Sequence, residues 1–229
     1  KTALMMKSAG IARLSAGALR HHLVSPHEDT AECVIVDPGI TAAEPVVAAV
    51  AERGLIPVAI LATHGHLDHV GDAHLLAARW NIPLYLAASD QHLLVRPGEG
   101  LGPQGAALMV QLTGSDTLPP VADVRDHDGT VTLARITVTP FPAPGHTKGS
   151  TLLEFTSART SVVFTGDVVF AGTIGRTDLP GGSMTEMRES LRRIALHFPA
   201  ETPLLPGHGQ PTSIGQELDS NPFLQPEHL

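Results

Sequence analysis

The sequence predicts an α/β protein in which two sheets pack face to face and helices cover their outer surfaces. Three observations lead there. In the first half an apolar run, Val34-Ile35-Val36, is followed by a helical stretch at 44–53 and a second apolar run, Ile56-Pro57-Val58-Ala59-Ile60-Leu61. A strand, helix, strand order implies a right-handed crossover, hence a sheet with helices outside it. The second half again contains strands followed by a helix, so the chain reads as two similar layers. Apolar strands in both halves end in histidine or aspartate beside glycine, which gathers polar side chains along one edge of the sheets.

The elements follow in order. Residues 1–27 contain Lys1, Lys7, Arg13 and Arg20 and no acid before Glu28, the composition of an organellar transit peptide. The preferred reading instead makes 3–7 and 19–24 the first two strands, because the fold needs strands there. Val34-Ile35-Val36 is stopped by the turn Asp37-Pro38-Gly39, and Thr41-Ala42-Ala43-Glu44 has the spacing of a capping box for a helix ending at Gly54. After the strand at 56–62, helical periodicity recurs at 72–80, a short strand at 83–87 and a capped helix at 89–95. Residues 96–120 are rich in Gly and Pro, with a helix at 104–112, and read as a surface connection. Strands follow at 131–133, 136–141, 151–155 and 161–165, with turns at Asp128-Gly129 and 157–160. Ser183-Met184-Thr185-Glu186 is a second capping box, opening a helix to His197, and Pro203-Leu204-Leu205 is a last short strand.

Composition bounds the function. The 229 residues are read as a single domain spanning 1–229. With 15 Lys+Arg against 23 Asp+Glu, the net charge is −8, which argues against a nucleic-acid partner. No apolar run approaches the roughly 20 residues of a membrane span, so no membrane partner is expected. The single cysteine, Cys33, excludes an internal disulfide and a cysteine-rich zinc module, and its apolar neighbours make it a buried, inert thiol. A cytoplasmic location is the expectation, with organellar import as the other reading of the basic N-terminal stretch.

The chemistry is concentrated in Thr63-His64-Gly65-His66-Leu67-Asp68-His69, delivered by the strand at 56–62. Three more apolar strands share its design: one leads through Pro144-Gly145 to His146, one through Gly166 to Asp167, and one through Pro206-Gly207 to His208. Glycine there lets the backbone turn sharply and come close to a bound ion. Four strand ends thus supply seven candidate ligands, His64, His66, Asp68, His69, His146, Asp167 and His208. That is too many for one tetrahedral zinc and suits two ions sharing a carboxylate. Alternation of an extended backbone puts His64 and His66 on one side, and the turn at Asp68-His69 swings the next pair toward a second ion. The expected partition is His64, His66 and His146 for one metal, Asp68, His69 and His208 for the other, and Asp167 bridging. Imidazole and carboxylate donors accept zinc first, with iron or manganese as alternatives. The other eight histidines receive no role.

With these motifs the chain resembles the metallo-β-lactamase-fold hydrolases. The resemblance rests on 63–69, Pro144-Gly145-His146-Thr147, Thr165-Gly166-Asp167 and Pro206-Gly207-His208-Gly209. Within that superfamily, Gly175-Arg176-Thr177-Asp178-Leu179-Pro180-Gly181-Gly182 and Asn221-Pro222-Phe223-Leu224-Gln225 resemble the short, glyoxalase II-like hydroxyacylglutathione hydrolases of the YcbL type. The resemblance implies a four-layer αβ/βα sandwich with the metal site at one edge of two mixed sheets. Asp167 stands where class B1 lactamases carry cysteine, and His66 where flavodiiron proteins carry glutamate, which disfavours both. Full-length glyoxalase II has a C-terminal helical domain that contacts glutathione. This chain stops about twenty residues after His208, so a glutathione carrier is less strongly implied than hydrolysis.

The expected reaction is cleavage of a small thioester such as S-lactoylglutathione. A water between two cations loses its proton near neutral pH, so Asp68 and Asp167 act in catalysis through that hydroxide. A thiolate leaves with little need of a proton, whereas an amide or β-lactam nitrogen needs a donor. Asp37, Thr63 and Thr147 are candidates to orient imidazole N–H groups. Lys148 is a candidate for a substrate carboxylate, and Arg176 with Asp178 for fixing the loop after Asp167. The rival activity is a mononuclear iron persulfide dioxygenase, which shares the Gly-Arg-Thr-Asp motif and uses matches to His64, His146 and Asp167. A non-catalytic metal-binding protein is the third reading.

Overall fold

A computed structural model of the chain describes residues 11–16, 19–24, 31–157, 161–226 and 228–229. The expected strand at 3–7 and most of the turn at 157–160 lie outside the described residues. Strands β1 (Ile11–Ala16) and β2 (Leu19–Val24) form a hairpin, and β2 runs antiparallel to β3 (Glu32–Val36). From β3 the chain makes three successive parallel crossovers. Helix α1 (Ala43–Arg53) leads to β4 (Ile56–Leu61), α2 (Leu67–Val70) and α3 (Ala73–Trp80) lead to β5 (Leu84–Tyr85), and α4 (Gly102–Thr113) leads to β6 (Val124–Arg125). These strands make one sheet in the order β1-β2-β3-β4-β5-β6.

The second sheet starts as an antiparallel meander of β7 (Val131–Leu133), β8 (Ile136–Pro142), β9 (Thr151–Thr156) and β10 (Ser161–Gly166). A small hairpin, β11 (Val169–Phe170) with β12 (Thr173–Ile174), precedes α5 (Met184–His197). Helix α5 returns the chain to β13 (Pro203–Pro206), parallel to β10, and β14 (Thr212–Ser213) closes that edge before α6 (Ile214–Ser220).

Side-chain alternation sorts the core into three apolar layers between four layers of structure. Val34, Val36, Ala59 and Leu61 of the first sheet meet Leu153, Phe155, Val162 and Phe164 of the second, all buried, in the space between the sheets. Their neighbours Cys33, Ile35 and Ile60 point the other way, into Val46, Val50, Ala73 and Leu76 of the helices. Leu152, Val163 and Leu204 likewise pack on Met187, Leu191 and Ile194 of α5. Strands buried on both faces must be apolar throughout, which is why β3, β4 and β10 carry uninterrupted hydrophobic runs. The result is the helix, sheet, sheet, helix sandwich that the sequence predicts.

The helix starts show where local signals decide and where they do not. Ser183 accepts a hydrogen bond from Glu186 N at 3.2 Å, as the capping-box spacing predicts. The box at 41–44 does not form. Thr41 adopts φ 69°, and the N-terminus of α1 is capped from a distance, by Asp72 Oδ2 accepting from Ala43 N at 2.8 Å. The segment at 88–94 is a 3-10 helix without a side-chain cap rather than a capped α-helix. No helix among the described residues is long and apolar enough to cross a membrane.

Candidate metal centre

The parallel strands of both sheets deliver their C-terminal ends to one edge. Asp37 follows β3, His64 and His66 follow β4, Asp90 follows β5, Asp167 follows β10 and His208 follows β13. His66 is extended (φ −68°, ψ 149°) and immediately precedes α2, so the first turn of that helix carries Asp68 and His69 round to a second position. His146 arrives at the same edge from the antiparallel strand β8. Gly207 shows why glycine precedes one of these groups: a Cβ there would stand 2.5 Å from both Asp167 Oδ1 and His69 Cε1.

The seven groups come together as two sets. Donor atoms of His64, His66 and His146 lie within 4.8 Å of one another, and so do those of Asp68, His69, Asp167 and His208. Asp167 stands between the sets. Its Oδ1 is 3.3 Å from His69 Nε2, and its Oδ2 is 3.5 Å from His208 Nε2 and 3.8 Å from His146 Nε2. Asp68 Oδ2 is 3.1 Å from His208 Nε2, and His66 Nδ1 is 2.9 Å from His146 Nε2.

Several outer imidazole nitrogens are held by fixed acceptors. His146 Nδ1 donates to the Arg176 carbonyl at 2.7 Å and His69 Nδ1 to Asp37 Oδ2 at 3.0 Å, which turns Nε2 of each ring toward the other site groups, His66 Nδ1 for His146 and Asp167 Oδ1 for His69. His64 Nδ1 lies 3.1 Å from Thr63 Oγ1, whose own proton goes to Asp37 Oδ2 at 2.9 Å.

This arrangement fits cations. His64 Nε2, His66 Nε2, His69 Nε2 and Asp167 Oδ1 are buried and make no hydrogen bond. His69 Nε2 and Asp167 Oδ1 at least face each other at 3.3 Å, but His64 Nε2 and His66 Nε2 face no acceptor or donor among the described residues. A buried polar atom without a partner costs about 1–3 kcal/mol, so these two nitrogens mark a place built for a ligand that takes lone pairs. Nitrogen and carboxylate oxygen in this mixture suit zinc, iron or manganese.

The electrostatics differ between the sets. Burial, reinforced by the neighbouring imidazoles, holds His64 well below the usual histidine range and pushes His66 down to about 4, so both rings are neutral at pH 7. In the other set burial opposes charge, and the carboxylates overcome it. Asp167, Asp37 and Asp68 together raise His69 well above its ordinary value, and a hydrogen bond to Asp68 raises His208. Conversely, burial works to raise Asp68 and Asp167, but the histidines, His69 foremost, keep both below the usual carboxylate range. His64 and His66 offer neutral nitrogen, whereas the other set pairs ionised carboxylates with histidines that they hold toward the charged form.

The remaining candidates fall in different places. Asp37 and Thr63 sit behind the imidazoles. Thr147 does not reach an imidazole; its hydroxyl donates to Asp90 Oδ2 at 2.7 Å and meets Ser150 Oγ at 2.8 Å. Lys148 is exposed on a cleft it shares with Ser89, His92, Thr147 and Gly181. Arg176 and Asp178 pair at 2.7 and 2.8 Å on the surface, in the same segment whose Arg176 carbonyl holds His146. Asp90 is not among the sequence candidates: it lies five residues past β5, inside a 3-10 turn and with no glycine beside it, so the strand-end pattern does not single it out.

Comparison with known proteins identifies relatives in sequence and in fold. The sequence model described as "Metallo-beta-lactamase superfamily" matches residues 23–208. The chain is 34% identical over 193 residues to the probable metallo-hydrolase YqgX of Bacillus subtilis (strain 168), spanning 84% of this chain and 87% of that protein. It is 34% identical over 197 residues to the hydroxyacylglutathione hydrolase GloC of Haemophilus influenzae, spanning 86% of this chain and 89% of GloC. Among solved structures, BLEG-1 B3 metallo-beta-lactamase superposes with a TM-score of 0.79 at 34% identity, over 94% of this chain and 99% of that one. TTHA1623, solved in a di-iron-bound form, superposes with a TM-score of 0.73 at 34% identity, over 93% of this chain and 100% of that one.

Proposed function

This chain belongs to the metallo-beta-lactamase superfamily, and on that premise we propose that it is a metal-dependent hydrolase acting on a small thioester such as S-lactoylglutathione. The observation that carries the reading is the position of Asp167, whose two oxygens face both donor sets at 3.3 to 3.8 Å. A carboxylate so placed makes the seven groups one site for two ions. His64, His66 and His146 would hold one, Asp68, His69 and His208 the other, and Asp167 both. Two divalent ions supply Lewis-acid polarisation of a carbonyl and a water of lowered pKa.

The chain's own residues then do three things. Asp37, Thr63 and the Arg176 carbonyl hold the outer nitrogens of His69, His64 and His146, which orients those rings toward the site. The four carboxylate oxygens of Asp68 and Asp167 offset the charge of the cations. Burial of His64, His66, His69 and His146 keeps their nitrogens from competing water.

A thioester is favoured by its leaving group, since a thiol of pKa about 8.5 departs as thiolate without a dedicated proton donor. GloC, named as a hydroxyacylglutathione hydrolase, supports a glutathione-linked substrate, and the di-iron TTHA1623 supports two ions and admits iron as well as zinc. BLEG-1 is named a B3 metallo-beta-lactamase, so a β-lactam belongs in the same test. Metal-loaded protein should hydrolyse S-lactoylglutathione faster than a β-lactam, lose that activity to a chelator and regain it with added metal. Metal-replete protein inert toward a panel of thioesters would overturn the reading. Oxygen consumption with glutathione persulfide by protein holding one iron per chain would select the dioxygenase instead.

A further inference from the structure

Asp90 is a carboxylate 1% exposed, outside both donor sets, with both oxygens in use. Its Oδ2 accepts from Gly65 N at 2.9 Å and from Thr147 Oγ1 at 2.7 Å, and its Oδ1 accepts from Gly149 N at 2.8 Å. Gly65 is the residue between His64 and His66; Thr147 and Gly149 are one and three residues after His146. One side chain from a third segment, the 3-10 turn Ala88–Leu94, therefore ties together the two loops that carry His64, His66 and His146. None of its three hydrogen bonds goes to the segments of Asp167 or His208, and the one to Gly65 falls on the His64 and His66 side of the segment whose next turn, α2, carries Asp68 and His69.

The fit is close. A Cβ on Gly149 would stand 2.5 Å from Asp90 Cγ, so the loop after His146 is built against this carboxylate. Donor count fixes the chemistry as well. Both oxygens face N–H or O–H donors, which suits a carboxylate and not an amide. Asparagine has the same shape, yet in either orientation its NH2 group meets a backbone N–H of Gly65 or Gly149 head-on. A separate link, Thr151 N donating to Thr63 O at 2.9 Å, joins the same two segments without Asp90, so the loops stay attached when the carboxylate is altered.

We propose that Asp90 is a positioning residue for one half of the centre: it sets the spacing of His64, His66 and His146, and through them the affinity of the metal they hold, while the other half is independent of it. The proposal rests on the reading that the two donor sets hold two ions. Groups behind metal ligands typically change affinity by about 10–100-fold when mutated, and a change of that size confined to one ion is the signature sought.

The test is Co2+ titration of metal-free full-length protein, read by the d–d absorption of the bound ion and by chelator competition. H146A marks the phase belonging to the first set and H208A the phase belonging to the second. D90N should weaken the phase lost in H146A by about 10–100-fold and leave the phase lost in H208A at its wild-type affinity. T147V, which deletes one of the three donors at constant volume, should act on the same phase to a smaller extent. Equal weakening of both phases, as general loosening of the fold would give, or no change in either, overturns the proposal. If D90N fails to fold by circular dichroism, T147V decides on the same criteria. A wild type that takes up fewer than two Co2+ ions refutes the two-ion reading itself, which is visible before any variant is compared.

Discussion

Asp37 Oδ2 lies 3.0 Å from His69 Nδ1, and the same carboxylate accepts from Thr63 N at 2.7 Å and Thr63 Oγ1 at 2.9 Å. One buried acid thus orients His69 directly and His64 through a hydroxyl. Asp37 also sits at φ 51°, a left-handed conformation that Asp and Asn tolerate better than other non-glycine residues. Asp37→Asn therefore keeps the backbone and the volume while placing an NH2 group against donors. We expect metal affinity to fall by about 10–100-fold, measured by chelator competition, with the protein still folded. Unchanged affinity would show that Asp37 serves only the turn.

Asp167→Ala removes the one group that faces both donor sets. Both ions should be lost or greatly weakened, and thioester turnover with them, as read by metal analysis of the dialysed variant. Retention of one ion at wild-type affinity would place Asp167 in a single set and refute the shared position.

Much of this was legible in the chain, for reasons that differ by element. The strands β3, β4 and β10 announce themselves because burial on both faces demands unbroken apolar runs, and their polar ends announce the site. The helix α5 was legible because its cap, Ser183 to Glu186, is local. Thr41 misled because the groups that cap α1 lie 29 residues apart, Ala43 and Asp72. The hairpin of β11 and β12 has two residues per strand and no periodicity to read. Helix α6 was missed although Ser213 and Gln216 have capping-box spacing, and Ser213 does accept from Gln216 N at 3.4 Å. Asp90 was passed over because a carboxylate beside a polar turn looks solvated until the loops that cover it are in place.

Cys33 is 0% exposed, and burial pushes its thiol up to about 12. An unfolded cysteine ionises near pH 8.5, so the folded state alone keeps its proton above that pH. The sign follows: the contribution of this group to stability is whole below about pH 8.5 and is lost as pH rises through about 12. A thiol reagent at pH 8 should label Cys33 only after denaturation. Rapid labelling of the native protein would contradict its burial.

Phe164 is 2% exposed between the sheets, edge-on to Phe155 with ring centroids 4.8 Å apart. Phe164→Ala should cost about 3–5 kcal/mol in urea denaturation of the metal-free protein. A loss below about 1 kcal/mol would show that the layer between the sheets can collapse around the gap.

The central claim, a two-ion hydrolase centred on Asp167, is tested most directly by the metal-to-chain ratio of protein that is hydrolysing S-lactoylglutathione. Titrating metal into chelator-stripped protein while following turnover should bring activity to its plateau at two ions per chain. A plateau at one ion per chain, unchanged by a second, would contradict it.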